Sequence, residues 1–230
     1  PYAGGQLSDL GAEVIKVEGP GRPDITRSGG LYGSFPDNVT GEDWWNRPST
    51  FNLLNRGKRS LTLDMSSERG RDLFREMVSV SDIVMENFTP RVMKNWGLDY
   101  PNLKKIKPDI ILVSNTGYGH GDGPYSSYPA QATTQEGTHG HCWVTGYVDG
   151  EPSKAGRSFV DFLSTWSAVF AIGAALRYRN LTGKGQWVDI SMYQAGAMFL
   201  SEYLMDSMIN KREGTRIGNR HPHYSPQGCY

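Results

Sequence analysis

Several things are scarce in this sequence, and each scarcity closes a route. Two cysteines, Cys142 and Cys229, occur in 230 residues. That is too few for a disulfide framework, and it fits a reducing, cytoplasmic setting. The 24 basic and 24 acidic residues cancel, so no net field draws the chain to nucleic acid or to an anionic membrane. No uninterrupted run of about 18 apolar residues appears, and no membrane span is expected. A signal peptide is missing too, although the chain opens on Pro1 rather than on a methionine.

The chemistry-bearing motifs are equally sparse. There is no G-x-S-x-G and hence no hydrolase elbow. Gly117, Gly119, Gly121 and Gly123 form a glycine series, but it does not match G-x-G-x-x-G. No helix or ribose-binding acid follows at the required distance, which argues against a nicotinamide cofactor and for a flexible cleft wall. His139-x-His141 and His221-x-His223 sit in loops rich in Gly, Pro and Thr. Neither pair has a Cys or acidic partner at a ligand-like offset, so no metal site is expected. Cys142 lacks the cationic surroundings of a thiolate nucleophile.

What is present reads as alternating strands and helices. "LSDLGAEVIKVE" predicts a helix end, a stop at Gly11 and a strand over 12–17. Residues 19–58 form a long irregular excursion, of a kind that is often functional. "RSLTLDM", "SSERGRDLFREMVSV" and "DIVMENF" make a strand, a helix with an apolar stripe at Leu73, Met77 and Val80, and a second strand. Such a βαβ crossover implies a parallel sheet. A short helix over 101–107 precedes "DIILVSNTGYG", whose continuous apolar strand suits a sheet covered on both faces. After Asp161, the residues Leu163, Trp166, Phe170, Gly173 and Leu176 form a helical stripe. "GKGQWVDISM" supplies a turn and strand, and a helix over 193–209 follows. The class is α/β. Both ends look cut, because the sheet wants a strand before the opening helix and "HPHYSPQGCY" stops without closure. A fragment of a larger protein is expected.

Ligands of an open parallel sheet bind beyond the carboxyl ends of its strands. Three stretches fall there: "MENFTP", "NTGYGHGDGP" and the segment before Asp161. An aspartate just before a long apolar helix commonly caps free backbone N–H groups. The same position stabilises an ionised carboxylate, and carboxylates serve as covalent nucleophiles. Spacing alone leaves both readings open.

Five stretches in register carry a resemblance: "DLGAEVIKVEGPGRPDITR", "NRGKRSLTLDM", "DIVMENFTPRVMKNWGLDY", "ILVSNTGYG" and "LRYRNLTGKGQWVDISMYQA". Together they resemble the family III CoA-transferases, the group of formyl-CoA and carnitine CoA-transferases. The resemblance implies a Rossmann-like large domain over 1–200, a connection over 201–230 toward a small domain beyond the chain's end, and an interlocked homodimer. It also implies that CoA moves from an acyl-CoA to a carboxylic acid, with Asp161 as nucleophile and with no metal or permanently bound cofactor. Leu63, Asp64, Met65 and Ser66, with Asn87, Phe88, Thr89 and Asn95, match positions that line the CoA. Asn95 and Gly19 stand where some members have arginine, and Arg22, Lys58 or Arg59 are the available substitutes for phosphate pairing. The family's active-site glutamine would precede Pro1, and its glycine-rich lid would follow Tyr230.

Two rival functions stay open. An α-methylacyl-CoA racemase needs a His and an Asp for proton transfer. Such enzymes carry a His-Asp pair where this chain has Gln131-Ala132, which leaves His120, His139 and His141 as the nearby substitutes. A non-catalytic CoA-binding homologue would keep the fold alone. Trp44, Trp45, Trp143, Tyr125, Tyr128 and Tyr147 point to a large or aromatic acid, or else simply pack the loops.

Overall fold

The computed structural model describes residues 1–28 and 34–229. Residues 29–33 of the irregular excursion, and Tyr230, lie outside the described residues. In chain order the elements are α1 (Tyr2–Asp9), β1 (Ile15–Glu18), α2 (Ser49–Asn55), β2 (Arg59–Thr62), α3 (Glu68–Val80) and β3 (Ile83–Glu86). There follow α4 (Arg91–Asn95), α5 (Tyr100–Ile106), β4 (Ile111–Thr116), α6 (Ala132–Thr138), α7 (His141–Val144) and α8 (Phe159–Thr182). β5 (Trp187–Ser191), α9 (Met192–Phe199) and α10 (Ser201–Asn210) complete the series. Two compact units result. One comprises Pro1–Ile83, Trp96–Ile110 and Leu176–Gly185, and the other Val84–Asn95, Ile111–Ala175 and Gln186–Tyr230.

In the first unit β1 and β2 pair in parallel, from Ile15 opposite Arg59 to Glu18 opposite Thr62. β1 begins three residues later than the pattern predicts because the end of α1 consumes the intervening chain. Gly11 takes φ +95°, its N–H donates to the Ser8 carbonyl at 3.0 Å, and the Ala12 N–H donates to the Leu7 carbonyl at 3.0 Å. That paired closure is a Schellman ending, and it needs a left-handed residue at Gly11.

α3 starts as its sequence requires. Ser67 caps it, with Oγ accepting from the Gly70 N–H at 3.0 Å, and Glu68 lies at the positive end of the helix dipole. The predicted stripe is only partly right. Val78 is buried and Leu73 and Met77 are half-buried, but Val80 is exposed at the last turn, beyond the packed face. Gly70 is where α3 meets the chain leaving β2, and a Cβ there would stand 1.9 Å from the Asp64 carbonyl oxygen. Backbone cannot yield as a flexible side chain does, so Gly70→Ala should lower stability by about 1–3 kcal/mol. A drop in the urea midpoint at unchanged slope would register it.

The second unit carries a three-stranded sheet in the order β3-β4-β5. β4 and β5 run parallel, with Leu112 opposite Trp187 and Thr116 opposite Ser191. Ile111, Leu112 and Val113 are fully buried, as a continuous apolar strand covered on both faces requires.

α8 buries Val160, Ser164, Thr165, Ala168, Ile172 and Ala175. The predicted stripe is therefore the wrong face, since Trp166 and Phe170 are exposed. The helix is apolar nearly all round, and its period cannot say which side faces inward. By length and composition α8 would also reach across a bilayer. Its apolar run is broken by Asp161, however, and Arg177 and Arg179 lie in its last turns; we read it as a core helix. The single helix expected over 193–209 is two. α9 ends at Leu200, where the Leu200 N–H turns back to the Ala197 carbonyl at 3.0 Å, and α10 restarts.

Candidate active site

Asp161 is the third residue of α8 and lies inside the first turn rather than before it. The capping position belongs to Ser158, which takes a left-handed φ of +54°. Its carbonyl accepts from the Asp161 N–H at 3.0 Å. A left-handed non-glycine residue is strained, and such strain persists only where the surroundings enforce it. Burial raises the Asp161 carboxyl above the ordinary aspartate range, a hydrogen bond with the Ser158 side chain pulls it back, and the charge of Glu136 pushes it up again. The result is a half-buried carboxylate, poorly solvated and held on one side. It is positioned from below as well. Ser164 Oγ donates to the Asp161 carbonyl at 3.0 Å, and Asn115 of β4 reaches Ser164 Oγ at 3.4 Å.

Glu136 was not foreseen from the sequence. It is fully buried on α6, and both its carboxylate oxygens are without a hydrogen-bond partner among the described residues. His139 and His141 are buried as well. Burial holds both rings below the ordinary histidine pKa, and His141 adds a further depression at His139. The His141 ring stacks on Phe159 with centroids 4.6 Å apart. His139 packs so closely on α9 that a Cβ at Gly196 would lie 2.4 Å from its Nε2. Among the described residues no three His, Cys, Asp or Glu side chains are grouped to hold an ion. Burial raises the Cys142 thiol, the opposite of what a thiolate nucleophile needs.

The glycine series closes against this region. The Gly117 carbonyl accepts from Gln135 Nε2 at 2.6 Å, the Tyr193 N–H at 2.9 Å and Ser191 Oγ at 3.3 Å. No room exists there for a side chain, because a Cβ at Gly117 would meet the Ala130 Cβ at 2.1 Å.

At the carboxyl ends of β3 and β4 lies a second constellation that pattern reading overlooked. Glu86, the last residue of β3, is buried, and its Oε2 accepts from the Phe88 N–H at 2.8 Å. Asp189 of β5 receives His120 twice, from the backbone N–H at 2.8 Å and at ring Nδ1 at 3.0 Å. His120 Nε2 stands 3.9 Å from Glu86 Oε1. The ring is T-stacked with Trp187, with centroids 5.1 Å apart.

The predicted CoA-lining residues distribute as follows. Asn87 and Phe88 are exposed and Thr89 is half-buried in the turn after β3, while Asn95 is exposed at the end of α4. All four belong to the same unit as Asp161. Leu63, Asp64, Met65 and Ser66 belong to the other unit. Leu63 is buried there, and Asp64 Oδ1 closes a turn by accepting from the Ser66 N–H at 3.0 Å and Ser66 Oγ at 2.6 Å. Of the substitute cations, Arg22 is exposed and Arg59 is paired with Glu13 at 2.9 Å. Lys58 donates to the Pro1 carbonyl at 2.6 Å and to Asn55 Oδ1 at 2.8 Å, and burial lowers its pKa to about 8.

The six aromatics are all exposed. Tyr125 and Tyr128 continue a tilted stack with Tyr118 and Tyr193 at centroid spacings of 5.6–5.9 Å. Trp143 Nε1 is tied to the Gly214 carbonyl at 2.9 Å.

The family model described as CoA-transferase family III matches residues 1–230. A succinate–glutarate CoA-transferase of Agrobacterium fabrum is 36% identical over 226 residues, covering 98% of this chain and 55% of that protein. An acetyl-CoA:oxalate CoA-transferase of Acetobacter aceti is 37% identical over 227 residues, with the same coverage of 98% and 55%. The crystal structure of a CaiB/BaiF family protein from Brucella suis superposes with a TM-score of 0.86 at 38% identity, covering 98% of this chain and 58% of that one. The chain thus spans about 55% of the length of these curated relatives.

Proposed function

The chain belongs to CoA-transferase family III, and from that premise we propose that the protein moves CoA from an acyl-CoA donor to a carboxylic acid acceptor with Asp161 as nucleophile. The observation that carries the reading is the state of Asp161: a carboxylate raised by burial, fixed in the first turn of α8 and steadied by Ser158. Partial desolvation makes it a better attacking group than a fully hydrated surface carboxylate.

The steps balance without ATP or metal. An Asp161 carboxylate oxygen attacks the donor thioester carbonyl, the C–S bond breaks, and an acyl-aspartyl anhydride and CoA thiolate result. The thiolate attacks the aspartyl carbonyl of the anhydride and expels the donor acid as its carboxylate, which leaves an aspartyl-CoA thioester. The acceptor carboxylate attacks that thioester, forming a second anhydride and again freeing the thiolate. Attack of the thiolate on the acceptor's carbonyl yields the new acyl-CoA and restores Asp161. Each tetrahedral oxyanion requires nearby donors. The turn at residues 87–89 and Asn95 are the proposed CoA contacts of the second unit, and Leu63–Ser66 those of the first. The interlocked dimer, the further small domain and the cytoplasmic location belong to the same proposal. Two relatives are named for dicarboxylate substrates, whereas the exposed tyrosine stack favours a bulkier acid. A panel of acyl-CoA donors and carboxylate acceptors, assayed with the full-length protein, tests the activity and chooses between them.

One observation favours a second reading, proton transfer at the α-carbon: His139 and His141 are buried, and burial holds both rings below the ordinary histidine pKa and hence neutral and free to accept a proton. The two reactions differ at one bond. A racemase exchanges the α-proton, and a transferase acts only at the carbonyl. A 2-methylacyl-CoA incubated with the protein in deuterium oxide should therefore gain no deuterium at that carbon while CoA passes to an added carboxylate. Rapid deuteration without CoA exchange would reverse the assignment.

A further inference from the structure

The sequence places a histidine at position 120 in the glycine-rich loop after β4, and the mechanism above leaves it unused. Its surroundings are specific. Asp189 grips both its backbone N–H and its ring Nδ1, at 2.8 and 3.0 Å. That double grip, with the Trp187 ring edge-on at 5.1 Å, fixes the plane of the imidazole and turns Nε2 toward Glu86 Oε1, 3.9 Å away. Glu86 Oε1 is buried and has no hydrogen-bond partner among the described residues. The other oxygen of the same carboxylate holds the Phe88 amide at 2.8 Å. One carboxylate therefore faces an imidazole on one side and anchors the turn at residues 87–89 on the other.

We propose that His120 is a positioning residue for acyl-CoA, its imidazolium balancing the buried Glu86 carboxylate so that Glu86 keeps the 87–89 turn in its binding shape. This rests on the reading of that turn as a CoA contact. A lone buried carboxylate is strongly disfavoured unless a charge or hydrogen bonds offset it. The charged groups facing His120 are Asp189 of β5 and Glu86 of β3. The Asp189 hydrogen bond raises the His120 pKa, and the charges of both carboxylates add to it. Burial raises Glu86 above the ordinary glutamate range, with Ser114, the Phe88 amide and His120 opposing it. For a histidine whose folded pKa is raised, the stabilising charge is fully present below the unfolded value and is lost as pH rises through the folded pKa. Above that point two carboxylates flank a neutral ring, and the anchor loosens.

The test uses the full-length protein with one acyl-CoA donor, following KM for that donor and kcat between pH 6 and 9. The Phe88 amide donates to a charged carboxylate, a bond of a kind worth about 1.5–3 kcal/mol, so its loss as the anchor loosens should raise the acyl-CoA KM by about tenfold as His120 deprotonates. kcat should move much less. His120→Gln can still donate to Asp189 but never carries charge. It should hold KM at the wild-type high-pH level throughout, with no step. Histidine-labelled NMR of the wild type should show a His120 pKa above the ordinary value, falling in Asp189→Asn. A His120→Gln protein that keeps the wild-type pH dependence of KM overturns the proposal alone. A wild type that binds no CoA at any pH, yet shows the raised His120 pKa, overturns the CoA reading together with it.

Discussion

Asp161→Asn in the full-length protein should abolish CoA transfer while leaving the fold at least as stable as wild type. An amide cannot attack a thioester, and removal of a covalent nucleophile lowers turnover by about three orders of magnitude or more. The stability half follows from the sign of the Asp161 shift. Its folded pKa is raised, chiefly by burial, so the protonated carboxyl is the form the fold favours. The stability it contributes is fully present below the unfolded aspartate value and is lost as pH rises through the folded pKa. At neutral pH the ionised side chain therefore weighs against the fold, and an uncharged isostere relieves that while keeping a hydrogen bond with Ser158. Steady-state turnover and a thermal melt on the same preparation read both halves. Retention of more than a few per cent of wild-type turnover would contradict the assignment. A large fall in melting temperature would instead make Asp161 a structural residue.

Which features were legible in the sequence follows from the range of the interactions. The strand–helix–strand order of β2, α3 and β3 announced itself because periodicity and a Ser67 cap are local signals, but the single-sheet crossover it implied is not formed: β2 pairs with β1, and β3 belongs to the separate β3-β4-β5 sheet. The presence of α8 was equally plain, but its start was not: the pattern put Asp161 just before the helix, whereas it is the third residue of the first turn. The buried face of α8 was hidden, since Trp166 and Phe170 on one side are as apolar as Ile172 and Ala175 on the other, and only the tertiary partner selects between them. The break at Leu200 had no glycine or proline to mark it.

The site divides in the same way. Asp161 was found through its helix and through resemblance. Glu136 was missed because a glutamate in the Gly/Thr-rich stretch that forms α6 gives no sign of full burial, and its influence on Asp161 comes from tertiary packing. His120 and Asp189 are 69 residues apart and meet because β4 and β5 lie side by side in the sheet. The one available hint was chemical: Glu86 is a charged residue in an otherwise apolar strand, and such residues are seldom buried without a partner.

The central claim is that Asp161 carries the acyl and CoA groups covalently, and the protein incubated with an acyl-CoA donor and no acceptor tests it most directly. With the acceptor withheld, the sequence of steps halts at the aspartyl-CoA thioester, or at the anhydride before it. Either is an activated acyl group open to hydroxylamine, and the thioester is also open to borohydride. Peptide mass spectrometry after trapping should place a hydroxamate or an alcohol on the peptide containing Asp161, near one per active subunit, and none in Asp161→Asn. An adduct on Cys142, or transfer kinetics that demand both substrates bound together with no enzyme-bound intermediate, would contradict it.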